Sequence, residues 1–213
     1  SRRQRQMCIR DRNTPPLILA HSKNGKGEAS LRIHRWARRY GLRGGESERP
    51  TLLNSWEGVY FTFTEKVLHG MMKRAADLGI ELFVLDDGWF GGRFPRNDAR
   101  AGLGDWQVNR AKLPHGLEGL IRQAEKLGIR FGIWVEPEMI SENSNLYKGH
   151  PDWAMKIPGH PHSEGRNQCI LDLCNPEVRK YVIEEMTRVF SSGEIRYVKW
   201  DMNRNFSDIY SPY

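Results

Sequence analysis

Two related stretches decide the fold, AADLGIELFVLDD at residues 75–87 and AEKLGIRFGIWVEPE at residues 124–138. In each, a helix-like segment runs into Leu-Gly-Ile, and an apolar strand-like segment then ends in acidic residues. Glycine just after the last helical residue is a common helix stop. Helices that alternate with strands of this length are typical of βαβ units, which build parallel sheets. The two stretches therefore predict an α/β fold.

The same alternation extends to both sides of these stretches. The predicted strands are at 51–55, 81–86, 130–136 and 195–201, with a minor strand at 169–173, and the predicted helices are at 31–40, 64–78, 115–127 and 176–190. A doubly wound sheet usually carries a Gly-rich phosphate turn after its first strand, whereas this chain has Asn-Ser-Trp-Glu there. We therefore predict a partial (β/α)8 TIM barrel, comprising roughly the first four strand–helix units of the eight.

The charge of the chain is concentrated near its N-terminus. The 213 residues carry a net charge of +7, but residues 1–49 hold 13 Lys and Arg against 4 Asp and Glu, a net charge of +9, which leaves residues 50–213 slightly acidic. No nucleic-acid motif or aromatic-interleaved basic face accompanies the basic segment, so we expect no nucleic-acid partner. No apolar run approaches the roughly 20 residues of a membrane helix, so we expect no membrane partner.

The chain divides into three predicted segments. Residues 1–13 lack helical and strand periodicity and resemble translated sequencing adapter, which predicts a non-native leader. Residues 14–49 are interpreted as a linker with a short helix that leads into the barrel, and residues 50–213 as the N-terminal half of the barrel domain. No signal peptide is visible, and Cys8, Cys169 and Cys174 form no disulfide framework, which favours a cytoplasmic location.

Acidic and aromatic residues follow the predicted strands rather than precede them. The carboxyl ends of barrel strands form the rim on which barrel enzymes keep their chemistry. We therefore expect the functional residues at this rim, among Trp56, Asp86, Asp87, Trp89, Glu136, Glu138 and Asp201.

The motif YVKWDMNR at residues 197–204 gives the strongest signal of reactive chemistry. Strand alternation puts Lys199, Asp201 and Asn203 on one face. An ammonium group beside a carboxylate lowers the carboxyl pKa and keeps it ionised, as a nucleophile requires. A Lys–Asp surface ion pair at a strand end is an equally good interpretation of the pattern.

Two further motifs offer sugar-binding groups. In LDDGWF at residues 85–90, Asp86 and Asp87 can hold two hydroxyl groups through charge-assisted hydrogen bonds, and Trp89 adds a ring face. The same residues also fit a turn or metal ligation. In IWVEPE at residues 133–138, Trp134 and Glu136 share a face, although Trp134 also fits the barrel core.

Seven sequence blocks, in order, resemble the α-galactosidases of glycoside hydrolase family 36, also called melibiases. The blocks are LLNSWE, ELFVLDDGWF, GLGDWQVNRAKLPHGL, RFGIWVEPEM, GRNQCILDL, PEVRKYV and YVKWDMNR. The resemblance implies a retaining hydrolase that removes terminal α-linked galactose from melibiose- or raffinose-type sugars through a covalent galactosyl-aspartate. It implies no cofactor, no metal and a homo-oligomeric parent enzyme.

Carried over to this sequence, the resemblance assigns Asp201 as the catalytic nucleophile. It assigns substrate contacts to Asp86, Asp87, Trp134, Arg166, Lys199 and Asn203. Without the resemblance, Arg166 would be an ordinary loop arginine.

The resemblance also places the acid/base aspartate on a later strand, beyond Tyr213. We therefore expect the 213-residue chain to lack appreciable hydrolase activity, and to aggregate or stay partly unfolded because half a barrel leaves open sheet edges.

Three other functions remain open. One is an α-glycosidase with a different sugar specificity. Another is a non-catalytic module that binds a sugar or a nucleic acid. The third is a metal-dependent sugar isomerase with Asp86, Asp87, Glu136 and Glu138 as oxygen ligands.

Overall fold

The computed structural model describes residues 16–161 and 163–213, so the predicted leader at residues 1–13, with Cys8, lies outside the described residues. The chain divides into two units, Ser1–Arg49 and Pro50–Tyr213. Within the described ranges, no helix has the length and apolarity needed to cross a membrane.

The described part of the first unit contains one helix, α1 at Lys26–Trp36, which continues as a π-helical turn at Ala37–Gly41. The sequence predicted this helix only from residue 31. Its first turn lacks apolar periodicity and contains Glu28, which forms an ion pair with Arg32 across one helical turn, at 2.8 Å.

The second unit is an α/β fold with a parallel sheet, as the sequence predicted. Its strands are β1 (Leu52–Asn54), β2 (Leu82–Leu85), β3 (Arg130–Val135), β4 (Met139–Ile140), β5 (Cys169–Ile170) and β6 (Ile195–Trp200). Its α-helices are α2 (Trp56–Val59), α3 (Glu65–Asp77), α4 (Gly116–Lys126), α5 (Asn145–Gly149) and α6 (Pro176–Phe190), with a 3-10 turn at Pro151–Trp153.

Four of these strands form one parallel sheet in the order β1-β2-β3-β6. Strands β4 and β5 pair separately as a short antiparallel ladder in the loop between β3 and α6. The minor strand predicted at 169–173 is therefore a strand only over its first two residues, Cys169–Ile170.

Capping residues, a glycine and a proline set the bounds of helices α3 and α6. Thr64 begins α3 by accepting a hydrogen bond from the Val67 amide, and Gly79 follows its end with a φ of +80°, a conformation that favours glycine. Asn175 begins α6 in the same way, accepting from the Glu177 amide at 2.9 Å, with Pro176 in the first helical position.

The core lies between the sheet and these helices. All residues of β2 are buried, as expected for a strand with both faces of its sheet covered. Near the carboxyl ends of the strands, Phe90, Trp106 and Trp134 form an aromatic cluster in which the rings of Phe90 and Trp134 are parallel within 5° at a centroid distance of 6.1 Å. This cluster supports the carboxyl-end side of the sheet from within.

Strand β6 is the less buried edge of the sheet, and its Trp200 is 52% exposed. It approaches β3 closely at Gly132, where the pairing register shifts. A Cβ atom on Gly132 would lie 3.0 Å from both the Cβ and the carbonyl oxygen of Tyr197. Glycine therefore permits the strand spacing that brings Asp201, just after β6, beside Trp134.

Candidate active site

The carboxyl ends of β1, β2, β3 and β6 surround a cleft of about 260 Å³. All seven residues assigned from the sequence line this cleft. The lining residues are Trp56, Phe61, Asp86, Asp87, Arg96, Ala99, Trp134, Arg166, Gln168, Lys199, Asp201 and Asn203.

Asp201 is held from two sides in this cleft. Its Oδ2 accepts hydrogen bonds from Trp134 Nε1 and from Asn203 Nδ2, both at 2.9 Å. Its Oδ1 accepts a bond from the Met202 amide at 3.2 Å. Partial burial raises the pKa of this carboxyl, but the Trp134 and Asn203 donors and the Lys199 charge outweigh burial and lower the pKa below its usual value.

Lys199 acts mainly on a different carboxylate from the one the sequence suggested. Its Nζ lies 2.8 Å from Asp86 Oδ2 but 4.0 Å from Asp201 Oδ2. The same Asp86 oxygen accepts from Asn54 Nδ2 at 2.6 Å, and Asp86 Oδ1 accepts from the Asp87 amide. The ammonium group therefore anchors Asp86 and contributes to Asp201 only from the longer distance.

Asp87 has its own cationic partner, Arg96. The guanidinium donates from Nε to both carboxylate oxygens and from Nη2 to Oδ2, at 2.9–3.1 Å, and the two side chains are almost fully buried. Burial raises the pKa of Asp87, and the Arg96 charge opposes that rise. The two adjacent aspartates thus line the same cleft, and each is paired with a different cation.

The loop side of the cleft is organised around Asn203. Arg166, whose φ of +55° is unusual for a non-glycine residue, donates to Asn203 Oδ1 at 3.1 Å. The Asn203 amide donates to Glu136 Oε1 at 2.6 Å, and Gln168 donates to Glu136 Oε2 at 3.2 Å. Burial raises the pKa of Glu136, although the Asn203 donor opposes the rise. Glu136 therefore supports the cleft from behind rather than lining it.

Besides Glu136, two further residues expected at the rim lie outside the cleft. Trp89 is fully buried in the aromatic core, where its Nε1 donates to the Trp134 carbonyl at 3.0 Å, so it offers no ring face to a ligand. Glu138 accepts from Trp200 Nε1 at 2.8 Å.

Several residues in or beside the cleft were not singled out in the sequence. Asn54 is the last residue of β1, the shortest strand of the sheet, and its amide carries no motif of its own. Arg96, Phe61 and Gln168 lie in irregular loops, where neither helical nor strand periodicity predicts the direction of a side chain. The buried pair of Asp86 and Asp87 was the one available signal for Arg96, because buried carboxylates require a cation.

In the described part of the chain, no group of three or more His, Cys, Asp or Glu side chains is arranged to hold a metal ion. The four carboxylates considered as metal ligands each have a different partner instead: Lys199 for Asp86, Arg96 for Asp87, Asn203 for Glu136 and Trp200 for Glu138.

Comparison with known proteins gives one consistent family. The melibiase family model matches residues 12–213. Alpha-galactosidase AgaA of Geobacillus stearothermophilus is 50% identical over 198 residues, which is 92% of this chain and 27% of that protein. Alpha-galactosidase C of Emericella nidulans is 46% identical over 211 residues, covering 93% of this chain and 28% of that protein.

Solved structures agree with the sequence comparisons. The crystal structure of a variant of AgaA in complex with raffinose matches with a TM-score of 0.83 at 50% identity, covering 86% of this chain and 26% of that one. The chain thus spans about a quarter of the length of the curated relatives it matches.

Proposed function

Because this chain belongs to the melibiase family, glycoside hydrolase family 36, we propose that it carries the nucleophile and galactose-binding residues of a retaining α-galactosidase. The substrates of this enzyme are galacto-oligosaccharides of the melibiose and raffinose type. The raffinose bound by the AgaA variant supports this substrate class.

The observation that carries the proposal is the environment of Asp201. Two donors hold one oxygen of an ionised carboxylate in a cleft that also contains the Asp86–Lys199 and Asp87–Arg96 pairs. A carboxylate with a lowered pKa is ready to form a bond to carbon at neutral pH. The neighbouring charged groups provide acceptors and donors for sugar hydroxyls.

In the proposed reaction, an Asp201 oxygen attacks the anomeric carbon of galactose as the bond to the leaving oxygen breaks. The result is a galactosyl-aspartate, which water then cleaves. Both steps need an acid/base carboxyl group about 5–5.5 Å from the nucleophile. Asp86 and Asp87 are already paired with cations. We therefore assign the acid/base role to a carboxyl group in a region of the full-length relatives that this chain does not cover.

The proposal also covers the fold of the domain, its oligomeric state and its location in the cell. The parallel sheet with functional residues at its carboxyl ends supports a (β/α)8 barrel, of which residues 50–213 would form the N-terminal half after a linker at 14–49. We also propose a homo-oligomeric enzyme in the cytoplasm.

The test uses the full-length protein that contains this chain. We expect it to release nitrophenol from p-nitrophenyl α-galactoside in preference to the α-glucoside, and Asp201→Asn to abolish turnover. With Asp201→Gly, added azide should restore nitrophenol release and give β-galactosyl azide, because azide then displaces the leaving group from the face that the carboxylate occupied.

Asp77→Asn provides the matched control. Asp77 is an exposed carboxylate at the end of α3 that pairs with Lys73, and its amide variant should keep wild-type turnover. Full turnover in Asp201→Asn, or an α-configured azide product in the rescue, would overturn the assignment of the nucleophile.

A further inference from the structure

Lys112 lies beside the cleft residues but does not line the cleft. Its ammonium group donates to three backbone carbonyl oxygens, those of Phe61 at 2.9 Å, Gly88 at 2.8 Å and Arg96 at 3.0 Å. The ammonium nitrogen also lies over the ring of Phe63, 4.9 Å from its centroid. All three N–H donors of the half-buried cation are therefore satisfied by backbone.

This arrangement is unusual for a lysine. Among the described residues, none places a carboxylate within ion-pair distance of Nζ, although a buried ammonium ordinarily needs one. Packing against uncharged groups does not by itself explain why a charged lysine is half-buried at this place. The three carbonyl groups belong to three separate segments of the chain, and the charge joins them at one point.

Each of these segments carries a residue of the cleft. Phe61 and Arg96 line the cleft themselves, and Gly88 directly follows Asp87. Gly88 has a φ of +104°, and a Cβ atom there would lie 3.2–3.4 Å from Phe63, Phe61 and the Arg96 carbonyl oxygen. The segments are thus held tightly together at the site where Lys112 binds them.

We propose that Lys112 is a positioning residue, whose charge joins the segments of Phe61, Asp87 and Arg96 and so fixes the Asp87–Arg96 pair in its sugar-binding geometry. The identity of the sugar rests on the proposed function, whereas the effect on the geometry of the pair does not.

The electrostatics around Nζ make this role sensitive to pH. Burial lowers the pKa of Lys112 to about 8; the Asp87 carboxylate raises it and the Arg96 guanidinium lowers it further. Among the described residues, these two side chains are the charged groups whose interaction with the ammonium shifts its pKa. A neutral amine keeps only two N–H donors, so one of the three carbonyl groups loses its partner as pH rises through about 8.

The first test is kinetic, with p-nitrophenyl α-galactoside and the full-length protein. We expect Lys112→Met to raise KM about tenfold while kcat changes less, because the loss falls on the residues that hold the sugar. Wild type should show a rise of KM above about pH 8. Lys112→Arg should keep KM near the wild-type value and show no such rise, because the guanidinium stays charged.

Lys126→Met is the matched control, since Lys126 is an exposed lysine at the end of α4, and it should leave KM and its pH profile unchanged. A KM for Lys112→Met within twofold of this control would overturn the proposal. So would an alkaline rise that persists in Lys112→Arg.

The second test is structural and does not depend on turnover. In crystals of Lys112→Met at neutral pH, we expect the Arg96 guanidinium to leave its bidentate contact with Asp87, and we expect that contact to persist in Lys112→Arg. An unchanged pair in Lys112→Met overturns the proposal even if kinetics are altered.

If wild type shows no galactosidase activity, the proposed function fails, and the crystal structures still decide the role of Lys112. If Lys112→Met does not fold, the pH profiles of wild type and Lys112→Arg decide it.

Discussion

At the scale of single residues, Trp134 and Asp201 depend on each other through one hydrogen bond of 2.9 Å. Trp134→Phe keeps an aromatic ring but removes the indole donor, so we predict that the pKa of Asp201 rises. A carboxyl group whose folded pKa is lowered adds stability above its unfolded pKa, and this contribution is lost as pH falls through the folded pKa. Trp134→Phe should therefore lose less stability than wild type on acidification.

The measurement is urea unfolding of the full-length protein and of Trp134→Phe across the acid range, beside the pH profile of kcat/KM. The acid limb of the variant should move to higher pH. Trp106→Phe changes a neighbouring core tryptophan that does not line the cleft, and an equal shift there would contradict the prediction.

The second prediction for a single residue concerns Arg96 and its buried ion pair. It is 2% exposed and is bound bidentately to the buried Asp87. Arg96→Met leaves a buried carboxylate without its cation, which costs about 3–5 kcal/mol in comparable pairs. Because burial already raises the pKa of Asp87, the variant should bind a proton there, and the loss of stability should shrink as pH falls.

Unfolding by urea at neutral and at mildly acidic pH measures this effect. Arg130→Met is the control, because Arg130 and its partner Glu81 are both about half exposed. A loss of stability for Arg96→Met that is independent of pH would show that Asp87 does not take up the proton.

Residue patterns predicted the cleft only in part. Asp86, Asp87 and Asp201 could be predicted because each lies within two residues of the end of a strand, and strand ends converge. Alternation correctly placed Lys199 on the face of Asp201, and the two side chains form an ion pair at 4.0 Å. The shorter contact of Lys199 with Asp86, at 2.8 Å, was not predicted because Asp86 follows a different strand. Contacts that cross between strands depend on sheet order, which local periodicity does not contain.

At the scale of elements, the spacing between β3 and β6 depends on Gly132. We predict that Gly132→Ala destabilises the protein by about 1–3 kcal/mol, because the new methyl group meets strand backbone that has no room to move. It should also raise KM, since β6 carries Lys199 and leads into Asp201.

Gly70→Ala makes the same chemical change in the interior of α3, where the new methyl group meets no atom within 4 Å apart from its chain neighbours and the backbone of its own helix. It should stabilise the protein by about 0.5–1 kcal/mol. Thermal or urea unfolding of the two variants compares them directly, and effects of the same sign would refute this view of the strand contact.

Most element boundaries followed from the sequence, and most of the exceptions share a cause. Helices α3, α4 and α6 lie within a residue of their predicted ends because caps and glycine stops mark them. Helices α2 and α5, the 3-10 turn and β4 were not predicted, since each contains too few residues for a period to register.

At the scale of the whole molecule, β6 is an edge strand of the sheet that the described residues form, and it carries the exposed ring of Trp200. Edges of this kind pair with other chains, so the expectation that the 213-residue chain associates stays a prediction. Trp200→Lys should increase the monomer fraction, because a lysine on an edge strand opposes pairing and retains a donor for Glu138.

Light scattering coupled to size-exclusion chromatography measures the monomer fraction. Leu78→Lys is the control, since Leu78 is 82% exposed at the end of α3, away from the open edge. An equal gain in monomer from both variants would point to general surface hydrophobicity rather than to the strand edge.

The two roles of Trp134 limit how this cleft can be re-engineered. Its ring is 1% exposed and stacks in the aromatic core, while its nitrogen serves the reactive carboxylate. In a mutant library that enlarges the cleft at Trp134, the substitutions would prevent clones from folding before any new sugar preference emerged. Trp56 and Phe61 are half-buried residues that line the same cleft outside the buried core, and diversity introduced there should spare both the core and the nucleophile.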